Sequence, residues 1–325
     1  MRINFIVEDF AAFRYIGCAT AARSIYWNMP KDADLELSWN SPAVDVDIAH
    51  FHTFGPFALS YRVYTKGVKV LTAHSTPHTN LGNVHLSRPI NRLYPRGYRG
   101  FDHIITVSEH SDREIRAMLP GMETTMIPNG VDRQVFRRYE DKRRAFRAAL
   151  GVDEDETVVL TLGQQTPRKG IYDFLEIAAR TPDIIWVWVG GFPYGRLSKD
   201  YTRIEREKQK ASENVVFTGF VPDVTEAYSG ADLFFFPSKA ETFGLVILEA
   251  LASGLPVVAR GIPELREIFG DAVAFFDTPD DAMGLVQSGD LLRFSGEKAR
   301  EFTERFDIRR IADAHARLYR RLAEG

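Results

Sequence analysis

The chain has 325 residues, of which 26% are charged and 45% apolar, with a formal net charge of −3. That length accommodates two domains with separate cores, and the composition is that of a globular protein rather than a disordered or membrane-spanning one. No apolar run approaches the ~20 residues of a transmembrane helix, the charge gives no general reason to expect nucleic acid, and the one cysteine, Cys18, excludes an internal disulfide and fits a reducing cytoplasm.

The opening MRINFIVEDF is expected to be a strand and not a secretory signal, because acidic residues interrupt it before an apolar core forms. Strands are predicted at 3–7, 46–52, 68–74, 103–107 and 124–127, whose near-continuous apolar character suits a parallel sheet covered on both faces. Gly17, between the first strand and the first helix, lets backbone approach a ligand, or is simply a turn residue. His52 and His74 each end an apolar strand, at the edge where such sheets bind ligands; a hydrogen-bonded packing role is the alternative for both. Asp45-Val46-Asp47 leads into a buried strand instead of following one, and hard cations want several converging oxygens, so no metal site is expected. The segment 86–100 mixes Arg88, Arg92, Arg96 and Arg99 with Leu93, Tyr94 and Tyr98. It suits an anionic membrane surface, with the aromatics at the interface. Pro89, Pro95 and Gly97 prevent one long amphipathic helix, which leaves a solvated basic loop as the alternative.

Polar sequence over 137–147 breaks the pattern, and a second α/β series begins at Thr157, with strands predicted at 158–162, 184–189, 215–218, 233–236, 257–259 and 273–276. Two series imply two Rossmann-like domains facing each other across a cleft: an N-terminal domain over 1–140, a C-terminal one over 141–307, and a last helix over 308–325. In LGQQTPRKG, Gly163 follows a strand, and Arg168 and Lys169 stand at the start of the next helix. Two cations beside backbone donors suit a diphosphate, although a surface Arg-Lys pair is often merely solvated. Gly190 and Gly191 end the next strand and let backbone face a ligand. In FFFPSKAETFGLVILEALASG, from Phe234 to Gly254, an apolar run stops at Pro237 and Ser238, a loop carries Glu241 and Gly244, and an apolar helix carries Glu249. A helix starting near Gly244 aims its first amides and positive dipole end at an anion, and a pyrophosphate fits that place. The two glutamates, about 12 Å apart along a helix, are too distant for a paired acid and base and would serve different ends of one ligand. Otherwise Glu241 is a helix-entry charge and Glu249 a partly exposed helix residue.

Glu241, Phe243, Gly244, Leu245, Glu249, Ala250, Gly254, Pro256 and Val257 together form E-x-F-G-L-x-x-x-E-A-x-x-x-G-x-P-V. This closely resembles the nucleotide-sugar signature of the family-four retaining glycosyltransferases, which have the GT-B architecture. The resemblance implies that Glu241 contacts the donor sugar and Glu249 the ribose, with Phe243, Gly244 and Leu245 around them. FTGFVPD resembles the loop that holds the base, with Gly219, Phe220 and Val221 as the contact. VLTAHST resembles the strand whose terminal histidine reaches the donor sugar, which assigns that part to His74 and leaves His52 to shape the acceptor side. The last helix is then expected to cross back and brace the first domain. ITVSEHS and IPNGVD match the family at the end of that domain. The family form has arginine directly after the glycine of the phosphate loop; Gln164 stands there, with Arg168 as its substitute. QQTPRKGIYDFLEIAARTPD, WVWVGGFPYG and HFHTFGPFALS are similar more specifically to the branch that adds a second hexose to glucosyl-diacylglycerol in bacterial membranes.

The expectation is therefore an α/β, two-domain, metal-independent retaining hexosyltransferase without a cofactor. It would move glucose or galactose from the UDP-sugar to a hydroxyl of a glycolipid such as glucosyl-diacylglycerol, at the cytoplasmic face of a membrane. His74, Arg168, Lys169 and Glu241 are expected to carry catalysis. Gly17, Gly163, Gly191, Gly219, Phe220, Val221, Phe243, Gly244, Leu245 and Glu249 would bind donor, and His52, Arg92, Arg96 and Arg99 would face acceptor or membrane. One rival keeps the chemistry and changes the acceptor to a soluble sugar, polysaccharide or glycoprotein precursor; another, kept open by Gln164, is a nucleotide-sugar binder without turnover. A nicotinamide dehydrogenase is excluded, since no G-x-G-x-x-G turn follows the first strand of either half.

Overall fold

A computed structural model describes the chain except residues 10–16, 33, 54, 81–90, 193–194, 289–294 and 325. Its described residues form two compact units: the first runs to Asp132 and resumes at Phe306, and the second is Arg133–Arg305.

The first unit holds a parallel sheet of six strands in the order β2-β1-β3-β4-β5-β6. These are β1 Arg2–Ile6, β2 Glu36–Trp39, β3 Ile48–Phe51, β4 Val68–Thr72, β5 His103–Thr106 and β6 Thr124–Met126. Every residue of β3 and β5 is buried, as befits strands with helices on both faces. Five of the six are predicted from sequence. The edge strand β2 is not, because Glu36 and Ser38 interrupt its apolar character and pairing with β1 holds it in place. β3 and β4 end before His52 and His74, and the chain turns at the second of these, where the His74 amide donates back to the Thr72 carbonyl. The helix Ile308–Glu324 buries Ile308, Ile311, Ala312, His315, Ala316 and Tyr319, an i, i+3, i+4, i+7 stripe. That stripe shares one core with Ile3, Phe5, Ile25 and Ile48, so the last helix does brace the first unit.

The second unit holds six parallel strands in the order β12-β11-β10-β7-β8-β9. They are β7 Thr157–Leu162, β8 Ile184–Val189, β9 Val215–Gly219, β10 Leu233–Phe236, β11 Val257–Arg260 and β12 Ala274–Phe276, all predicted. Phe174, Trp186, Trp188 and Phe235 pack edge to face at its centre. From β7 the chain winds outward to β8 and β9, then returns to lay β10 on the other side of β7. At such a reversal the loops leaving the two central strands open side by side at their carboxyl ends, which makes the crevice where doubly wound sheets bind ligands.

Candidate functional site

At the reversal point of the second sheet, the loop leaving β7 is clamped to the loop leaving β10. The Lys239 amide donates to the Arg168 carbonyl at 2.8 Å. Gly170 has φ +80°, and a Cβ there would lie 2.3 Å from the Pro237 carbonyl oxygen, so only glycine satisfies both the dihedral and the approach.

This clamp gathers side chains far apart in sequence. Glu241, 9% exposed, accepts at Oε1 from Lys169 Nζ (2.6 Å), Arg168 Nη1 (3.2 Å) and Ser238 Oγ (2.5 Å). Burial drives the Glu241 carboxyl up, but the charges of Lys169 and Arg168 and the hydrogen bonds from Lys169 and Ser238 outweigh it and hold the group below the ordinary carboxylate range. Burial and the neighbouring Arg168 charge lower Lys169, while the charge and hydrogen bond of Glu241 oppose that shift. Lys169 and Arg168 thus share the one carboxylate of Glu241. Glu241 Oε2 takes no hydrogen bond from the described residues and is not sealed from solvent. The helix Leu245–Ala252 begins directly after this loop, at Gly244, and its first N–H groups lack intrahelical partners.

Around this cluster the predicted donor residues assemble in part. Gly163 and Gly190 are in backbone contact, since a Cβ on Gly190 would meet the Gly163 carbonyl oxygen at 2.2 Å; the Gly190 amide donates to the Gly219 carbonyl at 2.7 Å. Gly191 lies against the ring of Phe220, which is 48% exposed, and Val221 follows half-buried. Phe243 is buried against Phe269, and Leu245 is half-buried at the helix start. Gln165, adjacent to the Gln164 departure, donates to the Gly190 carbonyl and accepts from Lys208 Nζ at 3.1 Å. Glu249 faces inward, 6% exposed, and its Oε2 accepts from the Tyr228 hydroxyl at 2.8 Å. Burial pushes its carboxyl up to about 7, against the lowering effect of that hydrogen bond. Ser238 and Tyr228 are the members that sequence reasoning missed. Ser238 has a visible signal, a hydroxyl directly after a strand-ending proline; Tyr228 has none.

In the first unit, His52 Nδ1 and His74 Nε2 lie 2.9 Å apart in stacked rings. Burial lowers both, His74 to about 3, so both are neutral at pH 7. His50, 4.1 Å behind His52 between ring centroids, is held by Thr72 Oγ1 and the Tyr319 hydroxyl; neither His50 nor Tyr319 is singled out from sequence. Gly17 opens the helix Gly17–Asn28 with nothing within 4 Å of an added Cβ, and part of the loop before it, 10–16, is outside the described residues. Arg92, Arg96 and Arg99 are exposed, with Leu93 at 56%, while 86–90, including Arg88, is outside the described residues. One expectation is corrected here. Tyr94 and Tyr98 do not face an interface: they are 3% and 1% exposed on the inner side of the helix Tyr94–Tyr98, where Tyr98 donates to the Ser75 carbonyl. Asp45 and Asp47, at the amino end of β3, are both engaged by Arg2.

Comparison with known proteins places this geometry. Residues 142–305 match the family model described as glycosyl transferases group 1, and residues 18–135 the one described as glycosyltransferase family 4. The alpha-galactosylglucosyldiacylglycerol synthase of Streptococcus pneumoniae is 30% identical over 229 residues, 67% of this chain and 61% of that protein. The processive diacylglycerol alpha-glucosyltransferase of Acholeplasma laidlawii is 32% identical over 229 residues, 68% of this chain and 66% of that one. The aligned region thus spans less than two thirds of either relative. The crystal structure of Anabaena HepE in complex with UDP and glucose matches with a TM-score of 0.78 at 20% identity, covering 98% of this chain and 99% of that one. Sucrose-phosphate synthase from Thermosynechococcus elongatus matches at 0.79 and 20% identity, covering 99% of both. These likenesses show the fold: two doubly wound α/β units, the GT-B architecture.

Proposed function

Because the chain belongs to the group 1 glycosyl transferases, we propose that it is a retaining hexosyltransferase that moves glucose or galactose from a UDP-sugar to a hydroxyl of a glycolipid. The observation that carries this reading is the joining of Arg168, Lys169 and Glu241 at the reversal point of the second sheet, beside the start of the helix Leu245–Ala252. When the bond from the sugar C1 to the phosphate oxygen breaks, negative charge grows on the leaving diphosphate. The cationic side chains of Lys169 and Arg168 and the helix amides stabilise that charge in a site already organised to receive it. These side chains do the work a divalent cation would otherwise do, so the reaction is proposed to need none. Glu241 Oε1 is committed to its three donors, which leaves Oε2 to accept from a sugar hydroxyl and makes the group an orienting residue, not a nucleophile. The acceptor oxygen then forms its bond to C1 on the face the phosphate leaves, and its proton passes to the departing phosphate oxygen.

The lipid acceptor is supported by the two diacylglycerol-directed relatives and by a surface on the first unit. There Arg92, Leu93, Arg96 and Arg99 are exposed. Arg62 Nη1, donating to the Gly97 carbonyl at 2.6 Å, ties this turn to the helix Pro56–Tyr64 and its exposed Val63 and Tyr64. The test offers UDP-glucose and UDP-galactose with glucosyl-diacylglycerol in vesicles, and separately with soluble sugars, and reads the anomeric configuration by NMR. An α-linked glycolipid is expected, with kcat down about 10²- to 10³-fold in Lys169→Ala. Turnover on soluble sugars alone would reassign the acceptor; an inverted product would overturn the mechanism.

A further inference from the structure

The Tyr228 hydroxyl has one proton and two acceptors. It lies 2.8 Å from Glu249 Oε2 and 3.2 Å from the Val246 carbonyl oxygen, in a side chain 1% exposed. With Glu249 ionised, the hydroxyl donates to the carboxylate. With Glu249 protonated, the carboxyl donates to the phenol oxygen, and the phenol proton turns to Val246, so the hydroxyl and Oε2 stay bonded in either state. Meanwhile Glu249 Oε1 takes no hydrogen bond from the described residues and is not sealed from solvent. One oxygen is held and the other is presented. We propose that Tyr228 is a positioning residue, which orients Glu249 and sets whether it is ionised, and so makes binding of the nucleotide ribose a proton-linked step. This rests on the reading of Glu249 as the ribose partner.

Burial raises Glu249 to about 7, and the Tyr228 hydrogen bond is the one side-chain influence acting against it among the described residues. The helix Glu297–Phe302, packed on the far end of Leu245–Ala252, carries Glu297, Lys298, Arg300 and Glu301; Arg300 is spent on the carbonyls of Ala252, Phe136 and Arg133. β10 brings only phenylalanines and leucine, and the one charge on β11, Arg260, is paired with Asp173. On the helix Val224–Gly230, Glu226 is exposed. The presented Oε1 is a stronger acceptor for a ribose hydroxyl when Glu249 is a carboxylate than when it is a neutral acid, so affinity should rise as Glu249 ionises. Losing a hydrogen bond to a charged group moves a titration by about one unit or more.

The experiment measures UDP affinity of the full chain by calorimetry from pH 6 to 9, for the wild type, Tyr228→Phe and Glu249→Gln, beside a ¹³C NMR titration of the Glu249 carboxyl. The wild type should bind UDP more tightly as pH rises through 7. Tyr228→Phe should move the midpoint up by about one unit, weaken UDP about fivefold at pH 7 and recover by pH 9; Glu249→Gln should be flat. A Tyr228→Phe carboxyl titration that superimposes on the wild type overturns the proposal. Should that variant not fold, 3-fluorotyrosine at position 228, a stronger donor, must move the midpoint down, and no movement is equally fatal. The ribose reading fails separately, if the wild type does not distinguish UDP from 2′,3′-dideoxy-UDP; the NMR titration still decides Tyr228.

Discussion

Glu241 Oε1 takes three donors, two of them charged, while Glu249 Oε2 takes one neutral donor. Both carboxyls are buried, so burial raises both, and what differs is the charge that answers it: cations beside Glu241 reverse the shift, and a phenol beside Glu249 does not. The two residues should therefore leave opposite marks on stability against pH. Glu241 is held below its ordinary 4.5, so its pairing stabilises the fold above that pH and is lost as pH falls below it. Glu241→Gln should cost about 3 kcal/mol at pH 7, because it takes the carboxylate away from the buried Lys169 ammonium, and progressively less below pH 4. Glu249 is raised from 4.5 to about 7, so its ionisation costs stability, none of it below pH 4.5 and all of it above about pH 7. Glu249→Gln should therefore stabilise at pH 8, by up to about 3 kcal/mol, and change nothing at pH 4. Urea unfolding of the two variants across that range checks both signs.

The loops leaving β7 and β10 act as one element because Gly170 lets their backbones touch. Gly170→Ala meets both a positive φ and a carbonyl 2.3 Å from the new Cβ, and since backbone stands on both sides, one loop must move. Gly151, at φ +68°, has open space around it, so Gly151→Ala isolates the dihedral cost of about 1 kcal/mol. Gly170→Ala should cost at least about 2 kcal/mol, and with the Lys169–Glu241 cluster pulled apart, UDP affinity should fall as well; Gly151→Ala should leave affinity unchanged. Thermal unfolding and calorimetry separate the two effects. Why Lys169 and Glu241 are legible in the sequence follows from the same geometry. Each lies a few residues past an apolar run, and a parallel strand buried on both faces announces itself as such a run, as the inner strands β7, β8, β10 and β11 do. Tyr228, reaching Glu249 from 21 residues away, and Tyr319, reaching His50 from 269, are placed by packing between elements, and nothing local to their sequence reports it. Tyr94 and Tyr98 mislead for a related reason: an i, i+4 pair lies on one face of a helix, and the composition of a basic stretch does not say whether that face points inward.

Across the whole chain the charge is nearly balanced, at −3, so attraction to an anionic surface has to come from a local excess of cations. No helix among the described residues is long and apolar enough to cross a membrane. On the proposed reading a lipid surface is met by Arg92, Arg96 and Arg99 beside exposed Leu93, Val63 and Tyr64, which supply charge for headgroups and apolar side chains for the interface. Each arginine near an anionic bilayer contributes about 1 kcal/mol. Replacing all three with glutamine should thus lower partition onto phosphatidylserine-containing vesicles about a hundredfold at low salt, with the difference shrinking as salt rises. Because the three side chains are exposed, thermal unfolding should shift little, and UDP affinity, which the proposed function assigns to the second unit, should stay as it was. Equal partition of the triple variant and the wild type in a vesicle sedimentation assay would leave these arginines as a solvated loop and return the acceptor to the soluble sugars.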